Sequence, residues 1–112
     1  MIKDDQVNSF NEKGYLVVEN LLPENILKDL QKVTDDFVEQ SRSINENDAI
    51  FDLSDSHTSE NPVVRRLKDP HLIHTVYSDI IKNNLITDVV SKLIGDNLRL
   101  EHTKLNFISL IL

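Results

Sequence analysis

The chain has no cysteine, and that removes disulfides and thiolate metal sites from consideration. It has two glycines and no glycine-rich phosphate loop, nor a Gly-x-Ser-x-Gly elbow. No run of Lys and Arg occurs, and the formal net charge is −7. A nucleic-acid or anionic-membrane partner, which needs clustered cations, is therefore not expected. Long apolar runs are also missing. The longest, Phe107-Ile108-Ser109-Leu110-Ile111-Leu112, is far too short to span a bilayer. Met1-Ile2 is followed at once by Lys3-Asp4-Asp5, which does not read as a signal peptide. The default is a soluble, cytoplasmic protein. Its 112 residues suffice for one small domain with one core.

What is present is helical patterning with a few β-favouring stretches. Lys3 to Lys13 reads as a helix, with Asp4 and Asp5 complementing its dipole and Gly14 suited to the left-handed position after it. Tyr15-Leu16-Val17-Val18 predicts a short strand. Pro23 fits the first position of a second helix, whose stripe is Ile26, Leu27, Leu30, Val33, Phe37 and Val38. Ser41 to Asn61 is a long polar loop with one apolar island, Ile50-Phe51-Leu53, and room for one short strand. Pro62 to Leu67 reads as extended. Asp69 predicts an N-cap and Pro70 the first turn of a third helix, with Leu72, Ile73, Val76, Tyr77, Ile80 and Ile81 inward. Asn83-Asn84 breaks it. A fourth helix carries Leu85, Ile86, Val89, Val90, Leu93 and Ile94 inward and stops at Gly95.

The strand expected next has an unusual pattern. Leu98, Leu100, His102, Lys104 and Asn106 share one face, and Arg99, Glu101, Thr103, Leu105 and Phe107 share the other. The even face turns from apolar to polar midway, and the odd face does the reverse. The simplest account is a strand end emerging into solvent, and the other is a strand passing from packing against helices to lining a polar cavity. The chain then runs into a β-favouring apolar segment. Either it is the front of a larger domain, or the segment is buried centrally or at an oligomer interface.

Candidate chemistry is sparse. His71 and His74, three apart, can share a helix face, but no local carboxylate completes a metal site. Asp52, Asp55, His57 and Glu60 fall together in the long loop, a composition that a solvated loop also shows. A facial triad for non-haem iron opens with His-x-Asp or His-x-Glu, yet the residues two beyond the four histidines are Ser59, Ile73, Val76 and Lys104. No catalytic residue and no metal ligand is assigned.

Three stretches, "FNEKGYLVVENLLP", "NPVVRRLKDPHLIHTVYSDIIKN" and "VVSKLIGDNLRLEHTKLNF", together resemble the N-terminal part of phytanoyl-CoA dioxygenase-like proteins, which are iron(II)- and 2-oxoglutarate-dependent oxygenases. The resemblance covers nearly the whole chain in order. It implies an α+β fold in which N-terminal helices buttress the first strands of a double-stranded β-helix, or jelly roll, here incomplete. It makes residues 1–112 the N-terminal part of one such domain, ending before the His-x-Asp motif, the distal histidine and the arginine for 2-oxoglutarate. The function implied is a fragment of an oxygenase that hydroxylates a small organic substrate, inactive as it stands. The alternative is a non-catalytic helical binding module derived from that fold. Fe(II) and 2-oxoglutarate belong to the complete domain, and this chain alone is expected to hold neither. One residue carries over: Lys104 matches a position bordering the 2-oxoglutarate pocket. Arg65 or Arg66 approaching the same pocket is left open, with a surface role preferred for both. The expected partners are a small-molecule substrate in the complete enzyme and self-association through the apolar C-terminal strand. Pleat alternation further predicts that Lys104 lies beside His102 and Asn106, with the third and fourth helices covering Leu105 and Phe107 on the opposite face.

Overall fold

The computed structural model describes residues 1–108; the apolar end Ser109 to Leu112, on which the expectation of self-association rests, lies outside the described residues. Four helices and three strands follow in the order α1 (Asp4–Lys13), α2 (Glu24–Gln40), β1 (Phe51–Leu53), β2 (Val64–Lys68), α3 (Thr75–Lys82), α4 (Asn84–Ile94) and β3 (Lys104–Asn106). Single 3-10 turns occupy Ser41–Ser43 and Pro70–Leu72.

The strands form one antiparallel sheet in the order β1-β2-β3. Phe51 pairs with Leu67, Asp52 with Arg66 and Leu53 with Val64, so one step along β1 matches two along β2. Arg65 is the extra residue, a β-bulge. On the other side Arg66 pairs with Asn106, Leu67 with Leu105 and Lys68 with Lys104. The bulge lets Val64 and Leu67, three apart, both face the helices, where a regular strand would send them to opposite faces.

The core lies under that face. Phe37 from α2, Phe51 and Leu53 from β1, Val64 and Leu67 from β2 and Tyr77 from α3 are buried together, and Leu67 is fully enclosed. Leu105 and Phe107 pack half-buried against this cluster, as do Leu30, Val33, Ile73 and Val76. Phe37 sits centrally, its ring 6.4 Å from Phe51 and 6.3 Å from Tyr77. The Tyr77 hydroxyl meets Thr34 Oγ1 at 2.7 Å, so the polar tip of a buried ring is satisfied. Burial pushes the Tyr77 phenol above its usual range, the bond to Thr34 opposing that only in part.

Helices α2 and α3, not α3 and α4, cover the sheet. α4 packs on α1 and α3 and contributes nothing to the buried cluster. Its partnership with α1 encloses Ile2, whose carbonyl accepts a 3.2 Å hydrogen bond from Lys92 Nζ. Three further expectations change. Tyr15 to Val18 joins no ladder, and Tyr15 and Val17 are exposed. Leu98 to Thr103 is likewise outside the ladder, with Leu98 and Leu100 open to solvent. β-propensity alone makes no strand without a neighbour to pair with. The third helix starts later than Pro70 suggests. Asp69 adopts left-handed backbone angles (φ 43°, ψ 57°) and its side chain caps nothing. The α3 cap is His74, whose Nδ1 accepts from the Val76 N–H at 2.9 Å.

Candidate functional site

Strand alternation divides the sheet chemically. Away from the helices, Asp52, Arg66, Lys68 and Lys104 share one face, and they line an open cleft of about 270 Å³ with Asp69, His102 and Thr103. Its size falls just under the range usual for drug-sized ligands, so it suits something compact.

Asp52 anchors the cleft. Its carboxylate meets Arg66 Nε at 3.0 Å and Lys68 Nζ at 3.1 Å while remaining only one-fifth exposed. Lys68 Nζ also donates to the Asp48 carbonyl at 2.7 Å. Lys104 stands directly across from Lys68 and, among the described residues, has no ion-pair partner. Its place on the open face, with Leu105 and Phe107 turned under the helices, follows the alternation read from the sequence. Arg66 lies on this open face, paired with Asp52. Arg65, the bulged residue, is exposed and does not line the cleft.

The cleft's rim is held by backbone. Asp69 N–H donates to the Thr103 carbonyl at 3.0 Å, and Thr103 N–H donates to Asp69 Oδ1 at 3.3 Å. His71 Nδ1 lies 2.6 Å from Thr103 Oγ1, fastening the 3-10 turn to the segment entering β3. Sequence reasoning placed Lys104 but missed Asp52, Lys68 and the Asp69–Thr103 clasp. The Asp52 and Lys68 signal was available in principle, because alternation in Phe51-Asp52-Leu53 and Arg66-Leu67-Lys68 puts polar residues on one face.

The histidine and carboxylate groupings come apart. His71 bonds Thr103 while His74 caps α3 and packs edge-on against Phe37 at 6.4 Å. Asp52 faces the cations of β2, and Asp55 and Glu60 point to solvent. His57 turns inward: its Nδ1 accepts from the Val63 N–H at 2.9 Å, and its Nε2 reaches the carbonyls of Ser41 and Ile44 at 2.9 and 3.0 Å. Those partners assign the proton to Nε2. Arg42 helps by donating to the carbonyls of Ser59 and Glu60. The long loop is thus fastened to the end of α2. Among the described residues, no three His, Asp or Glu side chains come together to hold a metal ion, and no helix is long and apolar enough to cross a membrane. Among these residues the donor set does not fit iron.

No protein-family model matches the chain, and no solved structure matches it. It is similar to a probable alpha-ketoglutarate-dependent hypophosphite dioxygenase of Stutzerimonas stutzeri, at 25% identity over 105 residues. The match takes in 92% of this chain but 36% of that protein, so the chain spans about a third of the length of the relative. That relation supports kinship with the 2-oxoglutarate-dependent oxygenase superfamily and reaches no finer family within it.

Proposed function

We propose that the chain is the N-terminal portion of a 2-oxoglutarate-dependent oxygenase domain of the phytanoyl-CoA dioxygenase-like kind. In this reading α2 and α3 buttress the first strands of a jelly roll, and the β1-β2-β3 face bearing Lys104 turns toward the ligand. The observation that carries it is that face: an ammonium with no ion-pair partner among the described residues, on an open polar surface backed by an apolar one. An ammonium can take one carboxylate of 2-oxoglutarate as a charge-assisted partner. The similarity to an alpha-ketoglutarate-dependent dioxygenase over nearly all of this chain supports the oxygenase part of this reading at the level of the superfamily.

The complete domain would hydroxylate a C–H bond of a small organic molecule as 2-oxoglutarate goes to succinate and carbon dioxide. Bound iron would supply oxygen activation, and this chain's described residues offer no ligand set for it. Their role is to shape and charge one wall. A cytoplasmic setting is part of this reading. The chain by itself, given Fe(II), ascorbate and 2-oxoglutarate, is expected to form no succinate above a protein-free control. Iron-dependent succinate formation overturns that statement. The coding sequence beyond Leu112 tests the larger reading, which requires an in-frame His-x-Asp and a distal histidine. Their absence there favours a non-catalytic binding module built on the same front end.

A further inference from the structure

Lys68 and Lys104 are directly opposed on adjacent antiparallel strands. Side chains so placed stand about 4.5–5.5 Å apart at Cβ, and like charges there are destabilising. Arg66, two residues from Lys68, projects from the same face as a diagonal neighbour of Lys104, roughly 7–8 Å away. Three cations therefore share one patch of adjacent strand positions, in a chain whose formal net charge is −7. Among the described residues the one close counter-ion is Asp52, and it is paired with Arg66 and Lys68. It touches Arg66 through Nε, and among the described residues the two terminal guanidinium nitrogens have no hydrogen-bond partner. Asp69, the other acid at the cleft, gives an oxygen to the Thr103 N–H. Lys104, the outer ends of Arg66 and the exposed His102 are left facing the same open space.

We propose that this cleft is a binding site for a compact, multiply charged oxyanion built on one central atom, of the phosphate, phosphonate or sulfate class. The geometry favours one centre with three or more oxygens. One oxygen can face Lys104, another the Lys68 side and a third the Arg66 fork, so the anion answers the Lys68–Lys104 repulsion and uses donors that Asp52 leaves free. A lone carboxylate has two oxygens to offer three donor groups. The inference rests on the reading of this face as ligand-facing but does not depend on the co-substrate. It also makes Lys104 a residue held at a cost to the empty fold.

The test uses the 112-residue chain and inorganic phosphate, with amide resonances followed during titration at constant ionic strength, and sulfate and 2-oxoglutarate as parallel arms. Phosphate and sulfate are expected to give saturable shifts confined to residues 52, 66–69 and 102–106. Lys104→Met and Arg66→Met should each weaken binding about ten- to hundredfold, the loss of one charge-assisted contact. In the absence of phosphate Lys104→Met should melt at or above the parent's temperature. With phosphate it should lack the parent's rise in melting temperature. A lysine of purely structural value would give a lower melt in both conditions. Non-saturating shifts, or shifts scattered over Lys13, Lys28 and Lys32, overturn the inference. Saturation by 2-oxoglutarate without phosphate also overturns it while leaving the oxygenase reading standing.

Discussion

Replacing His57 with Ala tests how the long loop is held. The ring serves three backbone groups that are distant in sequence: the Ser41 and Ile44 carbonyls through Nε2, and the Val63 N–H through Nδ1. Each net hydrogen bond is worth about 0.5–1.5 kcal/mol. The Nε2 proton is shared between two carbonyls, so those bonds count about once. The Val63 bond counts once more. The site is half-buried, so water reaches some of the orphaned groups and limits the added penalty. The expected loss is about 2 kcal/mol, a sizeable share of the roughly 5–15 kcal/mol a domain of this size holds. Urea denaturation should show a lowered midpoint with little change in slope. Amide exchange at Val63 should accelerate more than exchange at Leu67, because the loop opens before the core does. His57→Gln, able to restore one bond, should recover part of the loss. A change under about 0.5 kcal/mol would refute the loop-pin argument. So would stabilisation of the parent, but not the variant, by Zn²⁺ or Ni²⁺, which would return His57 to the metal-site reading.

Tyr77→Phe should flatten the alkaline limb of stability. The folded-state phenol is shifted upward, so the folded chain holds that proton more tightly than the unfolded one. The associated stability is fully present below the unfolded phenol range and is lost as pH rises through the higher folded value. The melting temperature of the parent minus that of the variant should therefore be constant from pH 7 to 9 and shrink above pH 10; an unchanged difference contradicts the assignment. Leu67→Ala removes the side chain most completely enclosed, at a cost of about 2–5 kcal/mol, and should leave a chain that binds 1-anilinonaphthalene-8-sulfonate without a sharp melt. A cooperative transition within 3 °C of the parent's would show that β2 is not the centre of the core. In a longer protein that carries the iron motif, Lys104→Ala should weaken 2-oxoglutarate binding about ten- to hundredfold, read by calorimetry. Unchanged affinity removes Lys104 from the co-substrate site.

The helices were legible wherever a long apolar stripe met a clear stop. Both α2, carrying the stripe from Ile26 to Val38, and α4, ending before Gly95, form as read, but Leu27, Leu85 and Ile94 of those stripes stay exposed and α4 buries no residue. Gly14, at φ 84°, closes α1 with its N–H on the Phe10 carbonyl, as its position suggested. Strand existence was harder, because a strand needs a neighbour. Tyr15 to Val18 is rich in β-formers and pairs with nothing among the described residues, whereas Phe51-Asp52-Leu53, an island in a polar loop, becomes β1. Local backbone chemistry displaced the start of α3: Asp69 adopts left-handed angles to meet Thr103, and the cap passes to His74. Which helices cover β3 depends on tertiary pairing, and the stripes of α3 and α4 look alike from the sequence. Of the cleft, Lys104 was legible from alternation. The Asp52 bridge was not, since it requires knowing that β1 lies beside β2 in that register.

The register connects the core to the charge pattern. The helix-facing layer needs both Val64 and Leu67, which a regular strand cannot give because residues three apart point to opposite sides. The extra residue, Arg65, absorbs the mismatch, and its carbonyl still accepts from the Phe107 N–H at 3.0 Å. Everything beyond the bulge is then set. With Leu67 inward, Arg66 and Lys68 must point outward, and pairing with β3 places Lys104 and Asn106 beside them. Deleting Arg65 forces a choice. Either Val64 moves to the polar face and about 2 kcal/mol of apolar burial is lost, or the strand rotates and two cations enter the core at a far higher desolvation cost. The first outcome is the cheaper one, so such a deletion should weaken the fold while leaving Arg66, Lys68 and Lys104 together. The cation cluster is therefore tied to the packing of Leu67, and substitutions that reshape the core beneath β2 should disturb the cleft even where they touch none of its side chains.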